Sequence, residues 1–273
     1  MDEMTEEEPG VLVTVGEDNV CRITIDRPNV GNSLSPLARD TLIQSFARAG
    51  ADPAVRAVLL RATGDRHFCA GAGLSPDPPA EPAREKRPGD IARMLQNGWQ
   101  RLIVAVLDCD KPVVAAVKGT AAGAGASLVL ACDLVVMAQE ATLVQAFVHR
   151  GVLPDSGAIH LLTRIVGLRR AAELLMLGEP VDAATCERLG LVNRVVARQE
   201  TDAAAEELAR RLAAGPTVAL ALTKRLLSVS SESGRERAFE QEAWAQEVVS
   251  RTADLQEGLQ AFAERRRPRF RGF

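Results

Sequence analysis

The chain has 273 residues, 36 acidic against 33 basic side chains and a net charge of -3, which is long enough for a sizeable core and lacks the basic excess of a dedicated nucleic-acid binder. Nine aromatic side chains, seven Phe and two Trp with no Tyr, leave few platforms for stacked bases and exclude phenolic acid–base chemistry. Cysteines stand at 21, 69, 109, 132 and 186, an odd number with no CxxC pair, so neither a disulfide framework nor a zinc site is legible. The N-terminus, MDEMTEEEPG, is acidic and carries no apolar run, and the cytoplasm is the expected compartment.

In chain order, residues 11–15 and 20–26 alternate apolar and polar around Gly16-Glu17-Asp18-Asn19 and predict a hairpin. Ser35-Pro36 starts a helix as N-cap and first residue, with a stripe of Leu42, Ile43, Phe46 and Ala47. Ala57 to Arg61 predicts a buried strand. The proline-rich and charged segment 75–90 predicts a mobile loop, placed over the substrate pocket. Ile91, Met94, Leu95, Leu102, Ile103 and Val106 predict one helix, and Pro112–Val117 and Leu134–Ala138 predict strands. Residues 119–138 approach the length of a membrane span, but Asp133 lies inside them, and a helix start followed by a buried strand fits better. After about residue 200 only helices are predicted, over 201–214, 216–230 and 233–265.

The common catalytic signatures are missing. GxSxG, HExxH and the P-loop do not occur, and Leu128 stands where GxGxxG needs its third glycine. The histidines at 67, 149 and 160 lack metal-ligand spacing. Two glycine–alanine segments remain, HFCAGAGL (67–74) and KGTAAGAGASL (118–128). Small residues let a ligand approach the backbone, whose N–H groups then serve as donors, especially at a helix start. Tight strand–helix packing selects the same residues.

The pair FCAGAGL and KPVVAAVKGTAAGAGASLVLACD resembles the two signature segments of the crotonase (enoyl-CoA hydratase/isomerase) superfamily. The resemblance runs on through RGVLPDSGAIHLLTRIVGLRRAAELLMLGEPVDAATCERLGLVNRVV (150–196) to FAERRRPRF (262–270). It implies an α/β fold: a crotonase-like spiral of ββα units over residues 1–200 and a C-terminal helical oligomerisation region over 201–273. It also implies a homotrimer or dimer of trimers, an acyl-CoA thioester as substrate, and no cofactor beyond the coenzyme A carried by the substrate. No nucleic-acid or membrane partner is expected.

Carried over residue by residue, the resemblance puts the oxyanion-hole donors at the Ala72 and Ala124 amides. The two glutamates of the hydratases fall at Ser127 and Phe147, which cannot replace carboxylates and are expected to line the acyl pocket. Gly73 stands where an aspartate is common. Asp155, in GVLPDSG, occupies the position of the acid/base carboxylate of several isomerases, and the segment most resembles the ring-epoxide isomerases of phenylacetate breakdown. The same residue could instead cap the helix that follows it. Phe147, Val148 and Leu153 are expected to keep the carboxylate in a dry pocket that favours proton transfer. Ala70, Arg27 and the basic run at Arg265, Arg266 and Arg267 are expected to contact coenzyme A. The leading expectation is therefore an acyl-CoA isomerase working through one aspartate and a thioester enolate. Enoyl-CoA hydration is the alternative, and a non-catalytic acyl-CoA-binding trimer is the alternative from another class.

Overall fold

In the computed structural model, which describes residues 10–73 and 87–273, the chain opens on the expected hairpin. Strand β1 (Val11–Val15) pairs antiparallel with β2 (Val20–Ile25), with Val13 opposite Ile23. The Ser35 hydroxyl accepts from the Ala38 N–H at 3.2 Å and starts α1 (Pro36–Ala51), which buries Leu42, Ile43, Phe46 and Ala49. Strand β3 (Ala57–Ala62) is covered on both faces: Val58 and Leu60 enter the main core, whereas Ala57 and Leu59 face a second, smaller one. That double burial explains a continuous apolar run in place of alternation.

Three passages then repeat one plan, a longer strand, a three-residue strand and a helix. The first is β3, β4 (His67–Cys69) and the pair α2 (Asp90–Asn97) and α3 (Trp99–Leu107). The second is β5 (Val113–Val117), β6 (Thr120–Ala122) and α4 (Ala124–Leu130). The third is β7 (Leu134–Ala138), β8 (Thr142–Val144) and α5 (Ala158–Leu177). Short β9 (Val181–Asp182), α6 (Ala183–Arg188) and β10 (Arg194–Val196) complete the strands. The longer strands join one six-stranded sheet in the order β1-β2-β3-β5-β7-β10, and the short ones a four-stranded sheet, β4-β6-β8-β9. Each turn of this ββα spiral thus adds one strand to each sheet. Apart from β1–β2 and β8–β9 the pairs are parallel.

Two helical expectations need correction. The single helix expected from Ile91 to Val106 is broken at Gly98, whose backbone (φ -113, ψ -93) is not helical. Ile91 and Met94 are exposed, while Trp99, Leu102, Ile103 and Val106 are buried. The long C-terminal helix likewise divides into α9 (Arg235–Val249) and α10 (Ala253–Ala263), because the Thr252 hydroxyl accepts from the Leu255 N–H at 3.2 Å and starts a new helix. The loop expected at 75–90 lies, up to residue 86, outside the described residues.

The helices after the last strand do different things. In α7 (Arg198–Ala213), Ala205, Ala209 and Ala213 pack on the outer face of the large sheet against Leu59, Val114 and Val136. Small residues four apart let the helix approach closely. By contrast α8 (Thr217–Glu232) buries only Thr217, and no residue of α9 is buried. Among the described residues no single helix is long and apolar enough to cross a membrane. The apolar stretch 119–138 resolves into β6, α4 and β7, and Asp133 within it accepts from the Val113 N–H at 2.7 Å and pairs with Lys224 at 2.8 Å.

All five cysteines are free thiols, and desolvation pushes Cys21 up to about 11 and Cys69 and Cys186 up to about 12. Burial also raises Cys109 and Cys132. A disulfide reagent at mildly alkaline pH should therefore label the folded protein slowly and all five thiols quickly in concentrated guanidinium. Equal rates in both would contradict the buried placement.

Candidate active site

The two glycine–alanine segments meet at one cavity of about 150 Å³, lined by Ala70, Gly71, Ala72, Trp99, Gly123, Ala124, Phe147, Arg150, Val152 and Asp155. The first segment leaves the end of β4, and the second opens α4. Their closeness is enforced by glycine. Gly71 has a φ of +86°, and a Cβ on it would stand 2.8 Å from the Ala122 carbonyl oxygen and 3.4 Å from the Ala124 nitrogen. Gly125 lies so near β4 that a Cβ would reach within 2.2 Å of the Cys69 carbonyl oxygen. Close packing is thus one reason for the small residues in both segments.

The direction of the Ala72 amide follows from its pairing. Ala72 forms an isolated parallel bridge with Leu34, in which the Leu34 N–H donates to the Gly71 carbonyl at 2.9 Å and the Gly73 N–H donates to the Leu34 carbonyl at 3.2 Å. In such a bridge the residue opposite directs its own N–H to the other side. Buried Asn32 braces this segment: its side chain donates to the Thr63 and His67 carbonyls at 2.9 and 2.8 Å and accepts from the Arg27 N–H at 2.9 Å. Ala124 is the first residue of α4, where a backbone N–H has no partner within the helix.

Asp155 also lines the cavity, and its carboxylate is the single one among the described lining residues. It does not cap α5. The cap position belongs to Gly157 in a left-handed conformation, with no side-chain bond. Instead the Asp155 carbonyl accepts from the Ala158 N–H at 3.0 Å, and Oδ1 of its carboxylate accepts from the Ser156 hydroxyl at 2.8 Å. Ser156 is fully buried and has a φ of +52°, uncommon for a residue with a side chain. That local turn presents Asp155 toward the cavity and tethers one oxygen. Such an arrangement can polarise a carbonyl with two amides and move a proton with one carboxylate beside aromatic walls.

The family described as Enoyl-CoA hydratase/isomerase matches residues 16–272. The chain belongs to that family. It is 36% identical to a probable enoyl-CoA hydratase of Rhodobacter capsulatus, over 92% of this chain and 93% of the relative. It is 33% identical to the 1,2-epoxyphenylacetyl-CoA isomerase of Escherichia coli, over 94% and 96% of the two chains. The crystal structure of an enoyl-CoA hydratase from Bacillus anthracis superposes with a TM-score of 0.89 at 29% identity, covering 97% of this chain and all of that one. The ββα spiral is accordingly the crotonase fold.

Against this enoyl-CoA hydratase/isomerase frame, the expected site residues separate into two groups. Ala70, Ala72, Ala124, Phe147 and Asp155 come together at the cavity. Ser127 does not: it is fully buried within α4, outside the lining, and its hydroxyl has no hydrogen-bond partner among the described residues. The expected dry wall is also different. Val148 and Leu153 are 41% and 75% exposed and do not line the cavity; buried Trp99 does, together with Val152 and Arg150, which are themselves exposed. Trp99 was out of reach of local pattern because α3 brings it from a distant part of the chain. Arg150 lay inside a motif segment without a recognised role.

The coenzyme A contacts expected from basic residues are not assembled at this cavity within one chain. Arg27 lies outside its lining, as do Arg265, Arg266 and Arg267. Arg266 is instead engaged by Glu257 through two bonds of 2.6 and 3.0 Å and also pairs with Glu264. The guanidinium holds the Glu257 carboxyl down at about 2, well below the usual range. Arg266 and Arg267 line a separate C-terminal groove with Asp254, Glu257 and Phe270.

Proposed function

We propose that this family member is an acyl-CoA isomerase in which Asp155 is the acid–base group and the Ala72 and Ala124 amides bind the thioester oxygen. The observation that carries this reading is the single described carboxylate in a cavity that also contains both amides. Asp155 removes a proton from C2 of a 3-enoyl thioester, and the electron pair moves onto the carbonyl oxygen to give a dienolate. The two N–H groups stabilise that oxyanion, each by roughly 3 kcal/mol. The protonated Asp155 then returns the proton at C4, which leaves the 2-enoyl thioester and regenerates the carboxylate. Coenzyme A enters as part of the substrate, and no separate cofactor takes part.

Hydration needs a positioned water and groups to activate it. Ser127 and Phe147, at the two positions where the hydratases' glutamates were expected, cannot supply that activation, and buried Trp99 and Phe147 line the cavity. The pure protein is expected to convert 3-hexenoyl-CoA to 2-hexenoyl-CoA and to form little 3-hydroxybutyryl-CoA from crotonyl-CoA. Fast hydration of crotonyl-CoA with no isomerisation would reverse the assignment. The same reading includes assembly as a homotrimer or dimer of trimers. It is supported by Phe239, Trp244 and Phe262, which are exposed on α9 and α10.

A further inference from the structure

Arg150 ends the short helical turn Val148–Arg150, between Phe147 and the loop that carries Asp155, and it lines the same cavity as both. Its guanidinium has neither a hydrogen-bond nor an ion-pair partner among the described residues. Nearby Arg164 and Arg170 are engaged by Glu232 and Glu173, whereas Arg169, like Arg150, has no such partner among the described residues but lies outside the cavity lining. Arg150 is exposed and Asp155 half-buried, and the two share the cavity without forming an ion pair, so the guanidinium stays within reach of a bound molecule.

The surroundings decide which molecule suits it. Trp99 and Phe147 are both nearly buried, and their rings accept an apolar acyl stem. A stem that ends in a methyl group would remove water from the guanidinium without replacing its hydrogen bonds. A stem that carries a carboxylate would offer it a charge-assisted and bidentate pair, whose bonds are roughly twice as strong as neutral ones. The carbonyl end of the thioester is expected at the Ala72 and Ala124 amides. Arg150 sits on the Phe147–Asp155 segment, not on either amide segment.

We propose that Arg150 is a specificity-determining residue that selects thioesters whose acyl group bears a second carboxylate, the monothioesters of dicarboxylic acids. The proposal rests on the reading of this cavity as the acyl-thioester site. Binding of unreactive saturated thioesters tests it without reference to turnover. Calorimetric titrations compare valeryl-CoA with glutaryl-CoA, and hexanoyl-CoA with adipoyl-CoA. Each pair shares its coenzyme A and chain length. At least one dicarboxylic member should bind tenfold or more tightly than its neutral partner, about 1.4 kcal/mol. That ratio should fall toward one in Arg150→Leu, survive largely in Arg150→Lys, and shrink as salt is added.

Ratios of one or less in both pairs would overturn the proposal while leaving the isomerase reading intact. So would a preference that Arg150→Leu does not alter. Equal weakening of both members of a pair in Arg150→Leu would assign the guanidinium to the coenzyme A phosphates and equally overturn it. If neither member of either pair binds, the acyl-thioester reading of the cavity falls as well.

Discussion

Asp155→Asn is expected to fold, to bind acyl-CoA, and to lose isomerase turnover by about 10²–10⁴-fold, the range that a positioned acid–base group contributes. The substitution is close to isosteric. The oxygen of the introduced amide could still accept from the Ser156 hydroxyl, which holds Asp155 Oδ1 at 2.8 Å in the native chain, so the loop 151–157 should keep its path. What disappears is the capacity to accept a proton from C2 and deliver it to C4. The thioester oxygen would still meet the two amides, because those donors are main chain, so affinity for a saturated thioester should change little. The measurement is kcat and KM for 3-hexenoyl-CoA beside the Kd for hexanoyl-CoA. Native turnover in Asp155→Asn would mean that another group moves the proton.

The second large effect is expected from Gly71→Ala. A methyl group there would sit 2.8 Å from the Ala122 carbonyl oxygen, on a backbone whose φ of +86° disfavours any side chain. Relief requires the Ala70–Ala72 segment to move away from the start of α4, which separates the two amides. Loss of one oxyanion donor costs about 10²–10³-fold in kcat, and Gly71→Ala should fall in that range. Gly73→Ala supplies the contrast. Its Cβ would meet the Ser33 hydroxyl at 3.6 Å and the Leu34 carbonyl at 3.7 Å, ordinary contacts, so turnover should remain near native. Equal activity of the two variants would show that the approach of the two segments does not control the reaction.

Local physics was sufficient wherever a segment's own residues decide its conformation. The β1–β2 hairpin follows from alternation around a polar turn, and α1 follows from the Ser35-Pro36 start. Strands β3, β5 and β7 follow from short apolar runs of the kind a doubly covered parallel sheet requires. The three-residue strands β4, β6 and β8 were not legible, because their pairing partners lie far along the chain and too few residues are involved to carry a pattern. The break at Gly98 was hidden because the apolar residues on either side of it continue at helical spacing.

The candidate site divides along the same line. The residue types at 72, 124, 127, 147 and 155, with no acidic residue at 127 or 147, are legible in the amino-acid sequence alone, as are the family motifs that hold them. Only the tertiary structure decided that Ser127 stays inside α4, that Trp99 and Arg150 join the wall, that Ser156 tethers Asp155, and that Arg266 is taken by Glu257. The reason is physical. A residue's chemistry belongs to its side chain, but which side chains share one cavity depends on strand pairings and helix packings between segments tens of residues apart, and no local pattern records them.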